Sequence, residues 1–425
     1  MKRLFYSLVV LLVSFLLGYH VVTLWRGFYL YGLRPSKEAL IKALGLNPSN
    51  PDPYYRLGLL HLLDIRNTDL KASRLYLHQA IERNPLEQEY WLNLAKVFQR
   101  TGEREAAEKA LEKAILIFPT GYRGRWMAGN ILLQQEALGP ALAHFSYILA
   151  YYPNQSGQVY DVWRQVTRDS DFILDRLVPK DSSAFHRYLA YLYEGGEKEA
   201  VRKAWAKKVS LRLVSDRKES LRYIDFLISN GELTEAFEAW KARLREEGIP
   251  LSPDGNLMTN GGFEKEKILG AGFDWRIRSV KGGEISFDKT TSLEGSQSLR
   301  IQFDGRENVD FHHVDQLVAW RPDTDYSLKG YVRTQGVTTK SGVKIEVVGV
   351  GTNFYKGSDS FVGDHDWQEI ALSFRTPAQS QGGMIRLRRE QTDKFDRFIS
   401  GTVWIDNVSL RESNEGHWVV KSPGH

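Results

Sequence analysis

Three prolines, Pro85, Pro119 and Pro153, stand 34 residues apart, and each follows a segment with apolar residues at helical spacing. Proline lacks a backbone N–H and clashes with the preceding turn, so it ends the helix before it. A constant period of this length indicates a repeated helix–turn–helix unit. Because one such unit cannot bury its own apolar face, the sequence predicts an array of stacked helical pairs.

The clearest unit runs from residue 87 to residue 120. Apolar and small residues recur at helical spacing on both sides of the turn "RTGE". The positions that carry this pattern are Trp91, Leu94, Ala95, Phe98, Ala107, Leu111, Ala114 and Pro119. The pattern resembles the tetratricopeptide repeat, and the units before and after it keep the same register. We predict a repeat array over residues 35–248, with divergent repeats after Pro153.

The resemblance also implies a binding surface, because tetratricopeptide arrays usually bind extended protein segments on the face made by the first helix of each pair. The positions of this sequence that would point into that groove are Lys96, Gln99, Arg100, Arg123, Trp126 and Asn130. They predict a protein partner. The alternative is that these side chains are solvated residues of a spacer.

The first thirty residues predict a membrane segment. From Leu4 to Trp25 the chain carries no formal charge apart from His20, and this length can cross a bilayer core of about 30 Å. A cleavable signal peptide is the competing interpretation, but the apolar run is long and lacks a small-residue cleavage site. We expect an uncleaved signal anchor over residues 1–30, in the bacterial inner membrane, with the bulk of the chain outside the cytoplasm.

The hydrophobic period changes at residue 256, after a linker predicted at residues 249–255. Seven segments then alternate apolar and polar residues and are separated by Gly, Asp, Asn or Pro, as expected for short strands. This spacing predicts a β-sandwich over residues 256–412, followed by a tail at 413–425. The predicted fold class is multidomain: a transmembrane helix, an all-α solenoid and an all-β jelly roll.

The opening "NLMTNGGFE" and the closing "GTVWIDNVSL" are the most diagnostic parts of this segment. Together with "GSQSLRIQF", "WRPDTDYSLKGYVRT" and "DWQEIALSFRTP" they resemble carbohydrate-binding modules of the galactose-binding-like group, such as families 4, 9 and 22. The resemblance implies glycan binding and a structural calcium held by Glu264 and Asp406, whose hard oxygen ligands suit that ion. The alternative for Asp406 is that it only caps a turn.

Alternation along two strands suggests where a glycan would bind. Tyr331 and Arg333 share one face of the segment "DYSLKGYVRT", and Arg386 and Arg388 share the outward face of "GMIRLRRE". We expect these four side chains to form one surface that favours an acidic or heavily hydroxylated glycan. Further stacking candidates lie in segments without strand periodicity: Trp275, Phe354 and Tyr355.

The remaining features argue against other functions. The net charge of +5 includes no run of five basic residues, so a nucleic-acid partner is not predicted. The chain has no cysteine and none of the common nucleotide-binding or hydrolase motifs, and the three predicted parts leave no room for a catalytic domain. We predict a non-catalytic, membrane-anchored envelope scaffold that acts in the assembly or export of surface polysaccharide. Two alternatives stay open: a pure protein-interaction scaffold and a cryptic glycan-processing enzyme.

Overall fold

The structure, a computed structural model, describes residues 2–33, 36–250 and 255–413. The chain divides into two compact units, Met1–Val214 and Ser215–His425, which are described separately. The helices of the first unit are α1 (Lys2–Leu33), α2 (Lys37–Leu46), α3 (Pro51–Leu63), α4 (Leu70–Arg83), α5 (Gln88–Thr101), α6 (Arg104–Ile117), α7 (Tyr122–Gln134), α8 (Leu138–Tyr151), α9 (Ser156–Val166), α10 (Ser170–Phe172), α11 (Ser182–Gly195) and α12 (Lys198–Ser210).

Helix α1 contains the predicted apolar segment. Its stretch Tyr6–Tyr29 has a mean hydropathy of 2.2, and its large apolar side chains are exposed. By length and composition this helix could cross a membrane, although a signal sequence would meet the same criteria.

Three helical pairs, α3–α4, α5–α6 and α7–α8, confirm the predicted repeat units. Close approach of the two helices depends on small residues at their contact. A Cβ added to Gly129 on α7 would lie only 2.6 Å from the ring of Phe145, which is fully buried on α8. Helix α5 ends at Gly102, whose φ of 80° is readily adopted by glycine.

Side chains link the first helices of successive pairs. The Nη1 atom of Arg100 on α5 donates to the carbonyl oxygen of Leu62 on α3 at 2.7 Å. Arg123 on α7 forms an ion pair of 3.1 Å with Glu89 on α5. The first helices α3, α5 and α7 therefore lie side by side, as a stacked array requires.

The fourth unit departs from this regularity. After α9, where the three preceding units have a second helix of 14 residues, the chain forms the short α10 and then a π-helical turn, Ile173–Leu177. Pro179 follows closely and prevents continuation of the helix. The regular pattern returns with α11 and α12.

The second unit begins with two helices, α13 (Arg217–Ser229) and α14 (Leu233–Glu246). They precede the predicted linker at 249–255, but they belong with the sandwich because they pack on it. Trp240 of α14 is fully buried and packs against Phe273 with tilted rings, and the left-handed Gly272 leaves room for both Trp240 and Ile224. Residues 251–254 of the predicted linker and 414–425 of the predicted tail lie outside the described residues.

The sandwich consists of two five-stranded sheets in which all neighbouring strands are antiparallel. The first sheet has the order β1-β4-β9-β6-β7 and the second the order β2-β3-β10-β5-β8. The strands are β1 (Arg276–Ile277), β2 (Gly283–Asp288), β3 (Ser298–Asp304), β4 (Phe311–Ala319), β5 (Asp325–Val337), β6 (Lys344–Gly349), β7 (Tyr355–Gly357), β8 (Gly363–Arg375), β9 (Gly382–Arg389) and β10 (Ser400–Glu412). All seven predicted strands are present, and the three that were not predicted lie at sheet edges.

The motif "NGG" fixes the start of the sandwich against its last strand. The N–H of Val408 donates to the carbonyl oxygen of Gly261 at 2.9 Å, and a Cβ at Gly261 would collide with the Val408 carbonyl. Leu257 donates to the carbonyl oxygen of Leu410 at 2.8 Å. The chain therefore enters and leaves the sandwich side by side.

Candidate functional site

The four side chains expected to share one glycan surface lie on two opposite faces of the sandwich. Strand β5, with Tyr331 and Arg333, pairs with β10 and β8 in the second sheet. Strand β9, with Arg386 and Arg388, pairs with β4 and β6 in the first sheet. The expectation of a single surface is therefore wrong. Alternation within a strand shows which residues face outward but not to which sheet the strand belongs.

The outer face of the first sheet carries a row of opposite charges, which we call the charged row: Arg276, Asp315, Arg386 and Glu346. These residues are direct cross-strand partners on β1, β4, β9 and β6. Arg276 forms an ion pair of 3.1 Å with Asp315, and Arg386 donates to Glu346 at 2.7 Å. Opposite charges that lie directly across neighbouring strands attract each other, so the row holds its own side chains in place.

Glu346 is the centre of the densest cluster on this face. It is 1% exposed, yet its carboxylate accepts hydrogen bonds from Tyr355 at 2.7 Å and Arg386 at 2.7 Å and an ion pair from Lys344 at 3.1 Å. Burial alone would raise the pKa of Glu346, but these hydrogen bonds outweigh it and hold the pKa below its usual value. The carboxylate is therefore ionised at neutral pH.

Tyr355 brings an aromatic ring to the edge of the same face. It lies on the edge strand β7, is 51% exposed, and its hydroxyl is fixed between Glu346 and the Nζ of Lys344 at 3.1 Å. Tyr355, one of the predicted sugar-stacking residues, thus has an exposed ring whose orientation is fixed by hydrogen bonds. Its position in a strand differs from the loop expected from the sequence.

Arg388 lies next to this cluster. It contacts the carboxylate of Asp310, and its Nη1 also donates to the carbonyl oxygen of Phe311 at 3.2 Å. Lys344 is its cross-strand partner on β6. At the other end of the row, Arg278 joins Arg276 on Asp315, whose side chain is buried. Three of the predicted residues, Tyr355, Arg386 and Arg388, are therefore brought together with groups that the sequence did not single out.

Two other predicted stacking residues pack inward: Trp275 belongs to the core, and Phe354 is partly buried against it. Trp275 is 6% exposed, packs against Phe263 with ring centroids 4.9 Å apart, and donates from Nε1 to the carbonyl oxygen of Asn260. Phe354 packs against Trp320 and Phe374. Trp275 is therefore not an exposed platform, because the left-handed backbone at Phe263 turns the opening segment over it.

The outer face of the second sheet is built differently. The hydroxyl of Tyr331 donates to Glu369 at 3.1 Å, and the guanidinium of Arg333 lies 5.7 Å from the ring centre of Trp404. Trp404 is almost fully covered, and its Nε1 donates to Asp288 at 2.9 Å. Hydrogen bonds from Thr290 and Trp404 lower the pKa of Asp288 to about 2. The Trp404 indole is therefore covered and packs beneath the guanidinium of Arg333.

Glu264 and Asp406, the predicted calcium ligands, both lie near Gly262 in the opening segment of the sandwich. A Cβ at Gly262 would lie 3.8 Å from Oδ1 of Asp406 and 4.0 Å from Oε1 of Glu264. Asp406 accepts backbone N–H groups of Leu293 at 2.8 Å and Asn407 at 2.7 Å, and Glu264 accepts the Ser296 hydroxyl at 2.6 Å. Burial, with the nearby Glu264 charge, raises the pKa of Asp406.

This donor set fits a hard cation in part. Each carboxylate oxygen can accept more than one bond, so oxygen lone pairs of Glu264 and Asp406 remain for an ion. In the described part of the chain, no group of three or more His, Asp or Glu side chains is arranged to hold a metal. Additional ligands would have to be backbone oxygens or water.

The predicted groove residues occupy α5 and α7, but their surroundings differ. Arg100 and Arg123 are exposed and bond to neighbouring repeats, and Lys96 and Gln99 are partly buried. Trp126 packs on Tyr122 and on Phe145 of the second helix, and the Asn130 amide donates to the Trp126 carbonyl oxygen on its own helix.

The sequence did not predict Asp315, Lys344 or Glu346 as residues of a glycan site. Glu346 left a signal, because it interrupts the apolar residues Ile345 and Val347 with an acid that must point to the other face of the strand. Its partner Arg386 could not be read in the same way, because it comes from β9, which is far from β6 in the sequence.

The protein thus joins a tetratricopeptide-repeat-like helical array, a fold that presents extended binding surfaces, to an antiparallel β-sandwich, with one apolar helix at its N-terminus. Residues 88–120 match the tetratricopeptide repeat family.

Curated relatives match part of the chain. It is similar to the tRNA(Glu)-specific nuclease WapA of Bacillus subtilis subsp. natto (strain BEST195), with 26% identity over 172 residues, or 38% of this chain and 7% of that protein. The tRNA nuclease WapA of Bacillus subtilis (strain 168) is 24% identical over 172 residues, with the same coverage. The chain spans 7% of the length of these relatives.

Solved structures of other proteins each resemble a part of this chain. A crystal structure of MamA is 22% identical and covers 32% of this chain and 80% of its own, with a TM-score of 0.28. A family 16 carbohydrate-binding module is 20% identical and covers 36% of this chain and 99% of its own, with a TM-score of 0.26. The CBM22-1 xylan-binding domain of Paenibacillus barcinonensis Xyn10C is 16% identical and covers 38% and 97%, with a TM-score of 0.27.

Proposed function

We propose that this protein is a non-catalytic, membrane-anchored scaffold of the bacterial cell envelope. Its sandwich binds a hydroxyl-rich or acidic glycan, its helical array binds a protein partner, and the two together serve the assembly or export of surface polysaccharide. The observation that carries the glycan part is the charged row of the first sheet, with the exposed ring of Tyr355 at its edge.

The charged row suits a ligand rich in hydroxyl groups. Sugar hydroxyls both donate and accept hydrogen bonds, and the row offers fixed guanidinium donors beside carboxylate acceptors. Because Asp315 and Glu346 are held beneath their bases, the arginine side chains are already oriented before a ligand arrives. Prior ordering lowers the entropic cost of binding.

The same geometry disfavours the glycan-processing alternative. A glycosidase needs one carboxylic acid that stays protonated, which requires a raised pKa. Glu346 has a lowered pKa and is bonded to three donors. Glu346 is therefore not suited to act as that acid.

The anchor and the protein partner rest on the N-terminal helix and the repeat array. Helix α1 has the length and composition of a membrane span, and stacked helical pairs present extended surfaces for other proteins. Resistance of the protein to alkaline extraction from membranes, together with protease accessibility of the bulk of the chain from the periplasm, would test the anchor. Solubilisation by alkali would contradict it.

The glycan part is tested with the full chain in nanodiscs on an array of acidic and neutral polysaccharides. We expect saturable binding that Tyr355→Ala abolishes and that the matched variant Tyr331→Ala, on the opposite sheet, leaves unchanged. Thermal unfolding of each variant controls for folding. Loss with Tyr331→Ala alone would place the site on the second sheet, and no binding by a folded protein would favour the pure protein-interaction scaffold. Release of reducing ends would instead indicate an enzyme.

A further inference from the structure

The irregular fourth unit of the array contains a cavity. Where the other units have a full second helix, α10 and the π-helical turn leave a space of about 420 Å³ beside α9 and α11. π-helical turns are rare and occur frequently at functional sites. The lining includes Tyr160 and Arg164 of α9 and Arg168 just after it. Tyr188 and Tyr191 of α11 line the opposite side.

Tyr160 lines this cavity with an unused hydroxyl. The residue is 0% exposed, and no group in the described part of the chain forms a hydrogen bond with its hydroxyl. Burial raises the pKa of Tyr160, so the hydroxyl keeps its proton and can act as a donor. A buried hydroxyl without a partner is costly, and a ligand that accepts its hydrogen bond would remove that cost.

The charged groups at the cavity are predominantly basic. Arg164 pairs with Glu197 at 2.7 Å, and Tyr191 donates to Asp161 at 2.7 Å, so both nearby acids already have partners. Arg168 is exposed at the rim and forms no ion pair with the residues that the structure describes. The acids that follow it are also engaged, because Asp169 caps α10 and Asp171 pairs with Lys203.

We propose that this cavity binds an acidic side chain of an extended segment of the partner protein, with the carboxylate accepting from the Tyr160 hydroxyl and pairing with Arg168. The inference rests on the proposed function, since it names the chemistry that the array recognises in its partner. A peptide is favoured over a free anion because α9 and α11 are first helices of successive units, the elements along which a repeat array binds extended chains.

The test uses the full chain in nanodiscs and fluorescence anisotropy of a fluorescein-labelled, C-terminally amidated hexaglutamate peptide. Hexaglutamine of the same length serves as the uncharged probe. We expect binding of hexaglutamate only, weakened about tenfold by Tyr160→Phe and by Arg168→Gln, as for loss of one hydrogen bond to a charged group. Tyr160→Phe removes no hydrogen bond within the protein, so its thermal midpoint should stay unchanged.

The control variant is Arg104→Gln, which removes an exposed charge from α6, outside the cavity lining, and should change the affinity less than twofold. Equal binding of hexaglutamine, or equal loss with Arg104→Gln, would overturn the inference, as would displacement of the peptide by glucuronate at equal strength. Glycan binding that depends on Tyr355 is measured on the same samples. Its persistence while peptide binding fails would refute this inference and leave the glycan part of the proposed function standing.

Discussion

Arg386 on β9 lies directly opposite Glu346 on β6, and its Nε donates to Oε2 of the carboxylate at 2.7 Å. Glu346 is buried, whereas the Arg386 side chain is partly exposed. The carboxylate therefore lies beneath a guanidinium group that still faces solvent in part. An arginine held in this way keeps donors available for a ligand. The first sheet therefore has both a stabilising ion pair and a surface on which a ligand can bind.

Glu346→Gln should destabilise the sandwich by about 2 kcal/mol, because three donors lose a charged acceptor in a buried setting. The matched variant Glu369→Gln, on the exposed face of the second sheet, should cost less than about 0.5 kcal/mol. Urea unfolding at neutral pH measures both values. Equal costs for the two variants would contradict the central role of Glu346.

The same carboxylate should make the stability of the sandwich depend on pH. The folded pKa of Glu346 lies below its usual value of 4.5, so its contribution is fully present above that pH and is lost as pH falls through the folded pKa. We expect the difference in urea midpoint between the wild type and Glu346→Gln to shrink from about pH 7 to about pH 3.5. A difference that stays constant or grows on acidification would refute the lowered pKa.

Gly129→Ala should destabilise the array although alanine favours helices. The added methyl would collide with the ring of Phe145, and overpacking of this kind costs about 1–3 kcal/mol. Gly139→Ala in α8 meets nothing within 4 Å and should stabilise by about 0.5 kcal/mol. Thermal unfolding compares the two variants, and the prediction requires shifts of opposite sign.

Trp240→Ala tests whether α14 belongs to the sandwich unit. The indole is fully buried and packs against Phe273 and Gly272, so its loss should cost about 3–5 kcal/mol. The exposed Phe395→Ala should change stability by less than about 0.5 kcal/mol. Calorimetry should assign the loss to the transition of the sandwich. A shift confined to the transition of the helical array would contradict the packing.

Calcium should stabilise the sandwich if Glu264 and Asp406 hold it. Binding at a hundredfold excess over Kd would add about 2.7 kcal/mol to the free energy of unfolding. We expect a higher thermal midpoint in calcium than in EDTA, a smaller effect of magnesium, and loss of the response in Glu264→Gln. Identical midpoints with and without calcium would mean that backbone amides alone satisfy Asp406.

The repeats and the strands could be predicted because their signals are local. Pro119 marks the end of a repeat, and the alternation around Leu328 and Val332 correctly places these residues in the core. The opening motif was also informative, because Gly261 is required where the backbone meets Val408. These features depend on residues that are close in sequence or on one steric requirement.

The binding face could not be predicted in the same way. Whether Tyr331 and Arg386 share a surface depends on sheet order, which pairs β5 with β10 and β9 with β6 over long stretches of chain. Trp275 shows the same limit, since its burial results from the backbone turn at Phe263 and is not visible in its own segment. Alternation within a strand shows which face of the sheet a side chain occupies. The order of the strands in the sheets decides which side chains become neighbours.

Leu257 and Leu410, which hydrogen-bond at the entrance to the sandwich, place the incoming and outgoing chain at one corner. A domain with its ends together can be spliced into a surface loop of another protein without separating the flanking backbone. Recombination can therefore carry such a domain between unrelated genes. Because Trp240 and Ile224 pack on Gly272, a sandwich transferred without α13 and α14 would lose these contacts.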